Sequence, residues 1–116
     1  MPGHGREPRK TRNDIMILRE WRDRIPSAKA DAYLDVLRST GLRDLAATPG
    51  NRGNWVLYDR GPDVTEVVLV SLWDSEDSIR AFAGDDFGKA RYYPEDDGYL
   101  IERPDRLRHY EVAATS

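Results

Sequence analysis

Val64-Thr-Glu-Val-Val-Leu-Val-Ser-Leu-Trp73-Asp-Ser-Glu-Asp-Ser-Ile-Arg-Ala-Phe-Ala-Gly84, continuing to Ala90-Arg-Tyr-Tyr-Pro94, decides the fold. Val64, Val67, Val68, Leu69, Val70 and Leu72 form a dense run of β-branched and aliphatic residues, which favours a buried strand ending at Trp73. A helix starts at once. Asp74 or Ser75 is placed to cap it, and Glu76 and Asp77 put negative charge at the positive end of its dipole. Ile79, Phe82 and Ala83 supply one apolar face, and Gly84 is placed to close the helix. A second short helical turn, started by Asp85 or Asp86, carrying Phe87 and Ala90 inward and ended by Pro94, is expected next. This arrangement gathers Trp73, Phe82, Phe87, Tyr92 and Tyr93 into one cluster, a core or a pocket wall.

Working outward, Ile15-Met-Ile-Leu18 opens a strand that is apolar on both faces and then alternates through Arg19, Glu20, Trp21 and Arg22 until Pro26 and Ser27. Ala30, Tyr33, Leu34 and Leu37 recur at helical spacing, with Gly41 placed as a stop. Leu42, Leu45 and Ala46 suggest a further turn before Thr48-Pro49-Gly50. Asn54 to Asp59 reads as a second strand, joined to the opening stretch by the turn-rich Arg60-Gly61-Pro62-Asp63. Beyond Pro94 come a loop at Glu95 to Gly98, an extended piece at Tyr99 to Ile101 and a last strand at Leu107 to Val112. The order strand, helix, strand, strand, helix, strand is the split βαβ pattern of an α+β, ferredoxin-like domain: four antiparallel strands with both helices on one face.

At 116 residues the chain makes one domain, spanning 14–113 between a basic arm at 1–13, expected to be disordered, and a frayed tail at 114–116. It contains no cysteine, which removes disulfides, thiolate metal sites and a cysteine nucleophile. No apolar run approaches a membrane span and the start lacks the apolar core of a signal peptide, so a cytoplasmic protein without membrane contact is expected. In the arm Arg6, Arg9, Lys10 and Arg12 outnumber Glu7, yet the whole chain carries −3, so the body is acidic and unsuited to nucleic acid. Glu95-Asp96-Asp97 lacks the spaced ligand set of a Ca²⁺ loop and reads as a solvated turn.

Two helices cover one face of a sheet, whereas Ile15–Leu18 and Val67–Val70 are apolar on both. The expected cover for the second face is another copy of the chain, packed sheet to sheet about a two-fold axis.

Leu-Trp-Asp-Ser-Glu-Asp-Ser-Ile-Arg-Ala-Phe after a strand, Ala-Arg-Tyr-Tyr-Pro-Glu-Asp-Asp, Pro49-Gly50-Asn51-Arg52-Gly53 and His109-Tyr110-Glu111-Val112 together resemble the antibiotic biosynthesis monooxygenase family, from about Ile15 to Val112. The resemblance implies a dimeric α+β barrel with a pocket in each subunit between sheet and helices. It also implies oxygenation of an electron-rich aromatic or polyketide phenol without metal, flavin or haem. Trp73 matches a tryptophan position of the family's pocket, with Asn54 and His109 as further candidates for catalysis. Trp21, Arg19, Tyr33, Phe82, Tyr92 and Tyr93 are candidates to bind the aromatic substrate, Arg19 or Asn54 by holding an oxyanion. His109 is the one histidine of the folded body and has the unperturbed pKa of a general base. Haem-degrading relatives use a histidine on the second helix, an asparagine on the first strand and a tryptophan at the end of the third. This chain keeps Trp73 but has Arg91, Tyr92 and Tyr93 at the histidine's place and Trp21 at the asparagine's, so a haem role would need a tyrosinate ligand. A non-oxygenase dimer that binds a small molecule or folds a polyketide chain is the remaining alternative.

Overall fold

The computed structural model describes residues 15–116; the arm expected at residues 1–13 lies outside them. Strand β1 (Ile17–Pro26) leads through a single 3-10 turn into helices α1 (Ala30–Ser39) and α2 (Gly41–Ala46). Strands β2 (Asn51–Arg60) and β3 (Val64–Trp73) form a hairpin, followed by α3 (Glu76–Ala83), a 3-10 turn at Pro94–Asp96 and β4 (Arg108–Glu111). The four strands are antiparallel in the order β2-β3-β1-β4, the ferredoxin-like arrangement.

Period-two alternation sends the odd residues of β1 and β3 to the helices and the even ones to the other face. On the helix side two clusters form. Trp21, Ile25 and Val67 pack with Ala30, Tyr33 and Leu37 of α1. Trp73 packs with Leu45 of α2 and Ile79 of α3, joined by Ile17, Phe82 and Phe87. Each large apolar side chain buried this way contributes about 1.5–3 kcal/mol. Leu69 touches both clusters. Between the two clusters, above Leu69, the sheet is left incompletely covered.

Helix α3 begins as its sequence demands. Ser75 Oγ accepts from Ser78 N, Ser78 Oγ accepts from Ser75 N, and Gly84 follows the last turn with φ 87°. Gly50, at φ +90°, lies so close to Ser78 that a Cβ there would fall 2.4 Å from the serine's own Cβ, which explains a glycine at the entrance to β2.

Three expectations need correction. The second helical turn expected between Gly84 and Pro94 shrinks to one hydrogen bond, from Lys89 N to Asp86 O at 3.1 Å; the rest of the segment is irregular and takes backbone partners from the 105–107 strip. Ala90 N donates to Asp105 O at 2.7 Å and Leu107 N to Gly88 O at 2.8 Å, so no i→i−4 ladder forms, and Pro94 starts a turn instead of ending one. Residues 99–101 form no strand. Strand β1 begins at Ile17, so of the Ile15–Leu18 run Leu18 alone brings an apolar side chain to the far face within a strand; Glu20, Arg22 and Arg24 follow it there. That face is therefore divided. One half carries Val68, Val70 and Leu72 of β3, with Trp55 and Leu57 of β2 48% and 49% exposed, and the other half is charged.

Candidate functional site

The gap between the two clusters is a cavity of about 80 Å³, open to solvent on one side. Its floor is the helix-side face of the central strands: Arg19 and Trp21 of β1, Leu69 and Ser71 of β3. Its walls are Tyr33 and Leu37 from α1, Leu45 from α2, Phe82 from α3, and Arg91, Tyr92 and Tyr93 from the irregular segment. Aromatic faces thus surround a few polar groups, the usual composition of a small-molecule site.

Arg19 is the unusual member. It is 6% exposed, and no carboxylate among the described residues lies within ion-pair distance of it. Its Nη1 donates to Phe87 O at 2.5 Å and lies 3.1 Å from His109 Nε2, while Phe82 stands 5.9 Å from the guanidinium carbon. Nε and Nη2 have no hydrogen-bond partner among the described residues, and no fully buried polar side-chain atom of those residues lacks a partner, so both nitrogens retain open surface. Burial, and then the charge of Arg91, lower the Arg19 pKa to about 10. The group is still a cation at neutral pH, and an uncompensated buried cation is costly.

Two neighbours complete the polar end. Ser71 Oγ accepts from Trp73 Nε1 at 2.8 Å, which leaves the serine's own proton to donate. Asp96, also in the cavity wall, is spent: Oδ1 accepts from Tyr33 Oη at 3.0 Å and Oδ2 from Tyr93 N at 2.8 Å. The residue read as part of a solvated turn is 4% exposed and organises the turn at Pro94–Asp96. That role is invisible in a run of acidic residues, because it depends on a tyrosine 63 positions away.

The structure brings Arg19, Trp21, Tyr33, Phe82, Tyr92 and Tyr93 to the cavity wall, and it adds Ser71, which the sequence did not single out, and Arg91, named there only in the haem comparison. Trp73 is fully buried in the second core and reaches the cavity only through Ser71. Asn54 pairs reciprocally with the Asn51 side chain at 2.8 and 2.9 Å and does not line the cavity. His109 stands behind Arg19, edge-on to Phe87; burial and then Arg19 push its pKa down to about 4, leaving a neutral acceptor for the arginine. The aromatic cluster expected around Trp73 divides: Phe82 packs on Trp73, whereas Tyr92 packs on Trp21.

No family model matches the sequence, and neither does any curated protein. Solved structures do match. A Bacillus cereus protein provisionally described as an antibiotic biosynthesis monooxygenase superposes with a TM-score of 0.60 at 16% identity, over 88% of this chain and 97% of that one. The chain shares its fold. A Nitrosomonas europaea protein of unknown function gives 0.58 at 19% identity over 91% and 96% of the two chains. A Mycobacterium tuberculosis haem-degrading protein, in a haem-free and cleaved form, gives 0.52 at 15% over 88% and 96%. The α+β, ferredoxin-like fold shared with these three neighbours thus accounts for nearly all of this chain and of each of them.

Proposed function

We propose that this chain is an oxygenase of the antibiotic biosynthesis monooxygenase type, which oxidises an electron-rich phenol in the cavity between sheet and helices without a bound cofactor. The observation that carries this reading is a buried guanidinium, Arg19, with no carboxylate within ion-pair distance among the described residues, at the floor of an aromatic-walled cavity. Such a charge lowers the cost of ionising a phenol, and the ionised phenol is the form that gives an electron to O2. In the overall change a hydroquinone becomes a hydroxyquinone: one atom of O2 enters the ring as the new hydroxyl oxygen, and the other leaves as water with two hydrogens of the substrate; in an anthrone the same balance turns a ring CH2 into a carbonyl. The Ser71 hydroxyl donates to the developing oxyanion, the charge of Arg19 stabilises it through space, and Trp21, Phe82, Tyr92 and Tyr93 pack the ring and exclude water. Trp73 acts as a positioning residue through Ser71. Neutral His109 fixes the orientation of Arg19; with its pKa near 4 it is a poor match for proton abstraction at neutral pH.

Haem suits these residues poorly. Tyr92 Oη donates to Pro104 O at 2.5 Å and Tyr93 Oη to Asp44 at 2.6 Å. Burial raises both phenol pKa values, that of Tyr93 to about 12, which disfavours a tyrosinate ligand. His109 Nε2 is already engaged by Arg19.

A second copy of the chain is the occupant we propose for the far face of the sheet. Its exposed Trp55 and Leu57 adjoin a half bearing Glu20 and Glu66 as well as Arg22, Arg24 and Arg108, a mixture of signs that a two-fold axis can set against itself.

Oxygen uptake by the protein with a hydroquinone or an anthrone, no cofactor added, tests the catalytic proposal. Turnover is expected in the wild type and at least a hundredfold less in Arg19→Met. Binding of the phenol with no oxygen consumed would sink the oxygenase reading and leave a binding protein.

A further inference from the structure

The free edge of Arg19 says more about the ligand than that it is aromatic. We infer that the natural ligand carries a carboxylate on its ring, and that Nε and Nη2 of Arg19 receive it as a two-point fork; this rests on the cavity being the aromatic-substrate site proposed above. The Nη1 nitrogen is occupied by Phe87 O and His109, which fixes the plane of the guanidinium and presents the Nε/Nη2 edge as a rigid pair of parallel donors. Two parallel N–H groups match the two coplanar oxygens of a carboxylate, whereas a phenolate offers one oxygen.

Charge balance points the same way. The cavity is lined by two cations, Arg19 and Arg91, and one anion, Asp96, whose two oxygens are committed to Tyr33 and Tyr93. Arg91 hydrogen-bonds only a carbonyl, that of Phe82 at 2.9 Å, although Asp44 lies near enough to feel its charge. The site therefore carries an excess of positive charge, of which the Arg19 part is buried, and a monoanionic ligand would offset it. Size limits the rest. A cavity of about 150 Å³ admits a benzene, and the 80 Å³ here, extended through its open side, suits one ring better than three.

Calorimetric titration of the full-length protein with benzoate and salicylate, and with the neutral isosteres benzamide and phenol, tests the inference. The acids are expected to bind at least tenfold more tightly than benzamide or phenol. That advantage should vanish in Arg19→Met and fall by about threefold in Arg91→Met, whose exposed position protects the fold. Circular dichroism melting checks that Arg19→Met stays folded, since methionine fills the volume but leaves Phe87 O and His109 without their donor; Arg91→Met, which alters no buried group, keeps the test independent of that. Equal affinity for benzoate and benzamide, or unchanged benzoate binding by Arg19→Met, would overturn the inference. The outcomes separate the two proposals. Acids that bind through Arg19 without any phenol consuming oxygen would uphold the carboxylate fork and remove the oxygenase; phenols that turn over while acids bind no better than benzamide would do the reverse.

Discussion

His109 can accept from Arg19 only while its Nε2 is unprotonated, and burial next to a guanidinium holds its pKa near 4, against about 6.5 in an unfolded chain. Below pH 6.5 the unfolded state therefore binds more protons than the folded one, and the contribution of this pair to stability is lost as pH falls from about 6.5 towards 4. For a half-buried ring this amounts to about 1–2 kcal/mol, after discounting for solvent screening. His109→Gln, which keeps an acceptor but cannot titrate, should flatten that part of the stability profile in urea melts at pH 4.5 and 7; an unchanged slope would show that the ring titrates normally. Asp23 offers a second test at this scale. Its buried carboxylate accepts from the backbone N–H groups of Arg24, Glu102 and Arg103 at 2.7–3.0 Å and so pins the loop where Arg103 takes φ 49°. Asp23→Ala would strand buried donors and is expected to cost about 3 kcal/mol, read as a fall in urea midpoint, with Asp23→Asn losing less. Neither role was legible beforehand. Asp23 is one charged residue in an alternating strand, and its three partners come from next door and from a loop about 80 residues away.

Among the elements, α3 was readable almost residue by residue because its signals are local: a serine cap, acids in the first turn, apolar spacing and a terminal glycine. Removing the cap in Ser75→Ala should destabilise the protein by about 1 kcal/mol, measured by thermal melting, with little change in ligand affinity since Ser75 does not reach the cavity. The next ten residues defeat the same method. Asp85, Asp86, Phe87 and Ala90 imitate a helix start, but Gly84 turns the chain and the 105–107 strip offers hydrogen bonds that a helix would otherwise make internally. This irregular segment carries Arg91, Tyr92 and Tyr93 into the cavity wall, so the part of the site least determined by propensity is also the part that lids it.

For the whole molecule, the divided far face of the sheet sets the expected assembly. Trp55 is held flat against Gly53, where a Cβ would sit 2.9 Å from its ring, and with Leu57 it presents an apolar surface that no described residue covers. Sedimentation should therefore report twice the 13.3 kDa chain mass at micromolar concentration, and Leu57→Glu should shift the species towards a single chain. A wild-type particle of 13.3 kDa that remains folded would remove the proposed dimer while leaving the protomer's fold intact.

Periodicity and chain punctuation determined the order of strands and helices and the residues of both faces of β3, because those signals lie within a few residues of each other. Only the tertiary structure decided which polar groups face the cavity. It withdrew Trp73 and Asn54 into internal hydrogen bonds, committed Asp96 to two tyrosines and gave Arg19 no counter-charge among the described residues. Those outcomes depend on partners between 2 and 90 positions apart, brought together by strand register and helix packing, and a polar side chain's role is set by whichever partner reaches it first.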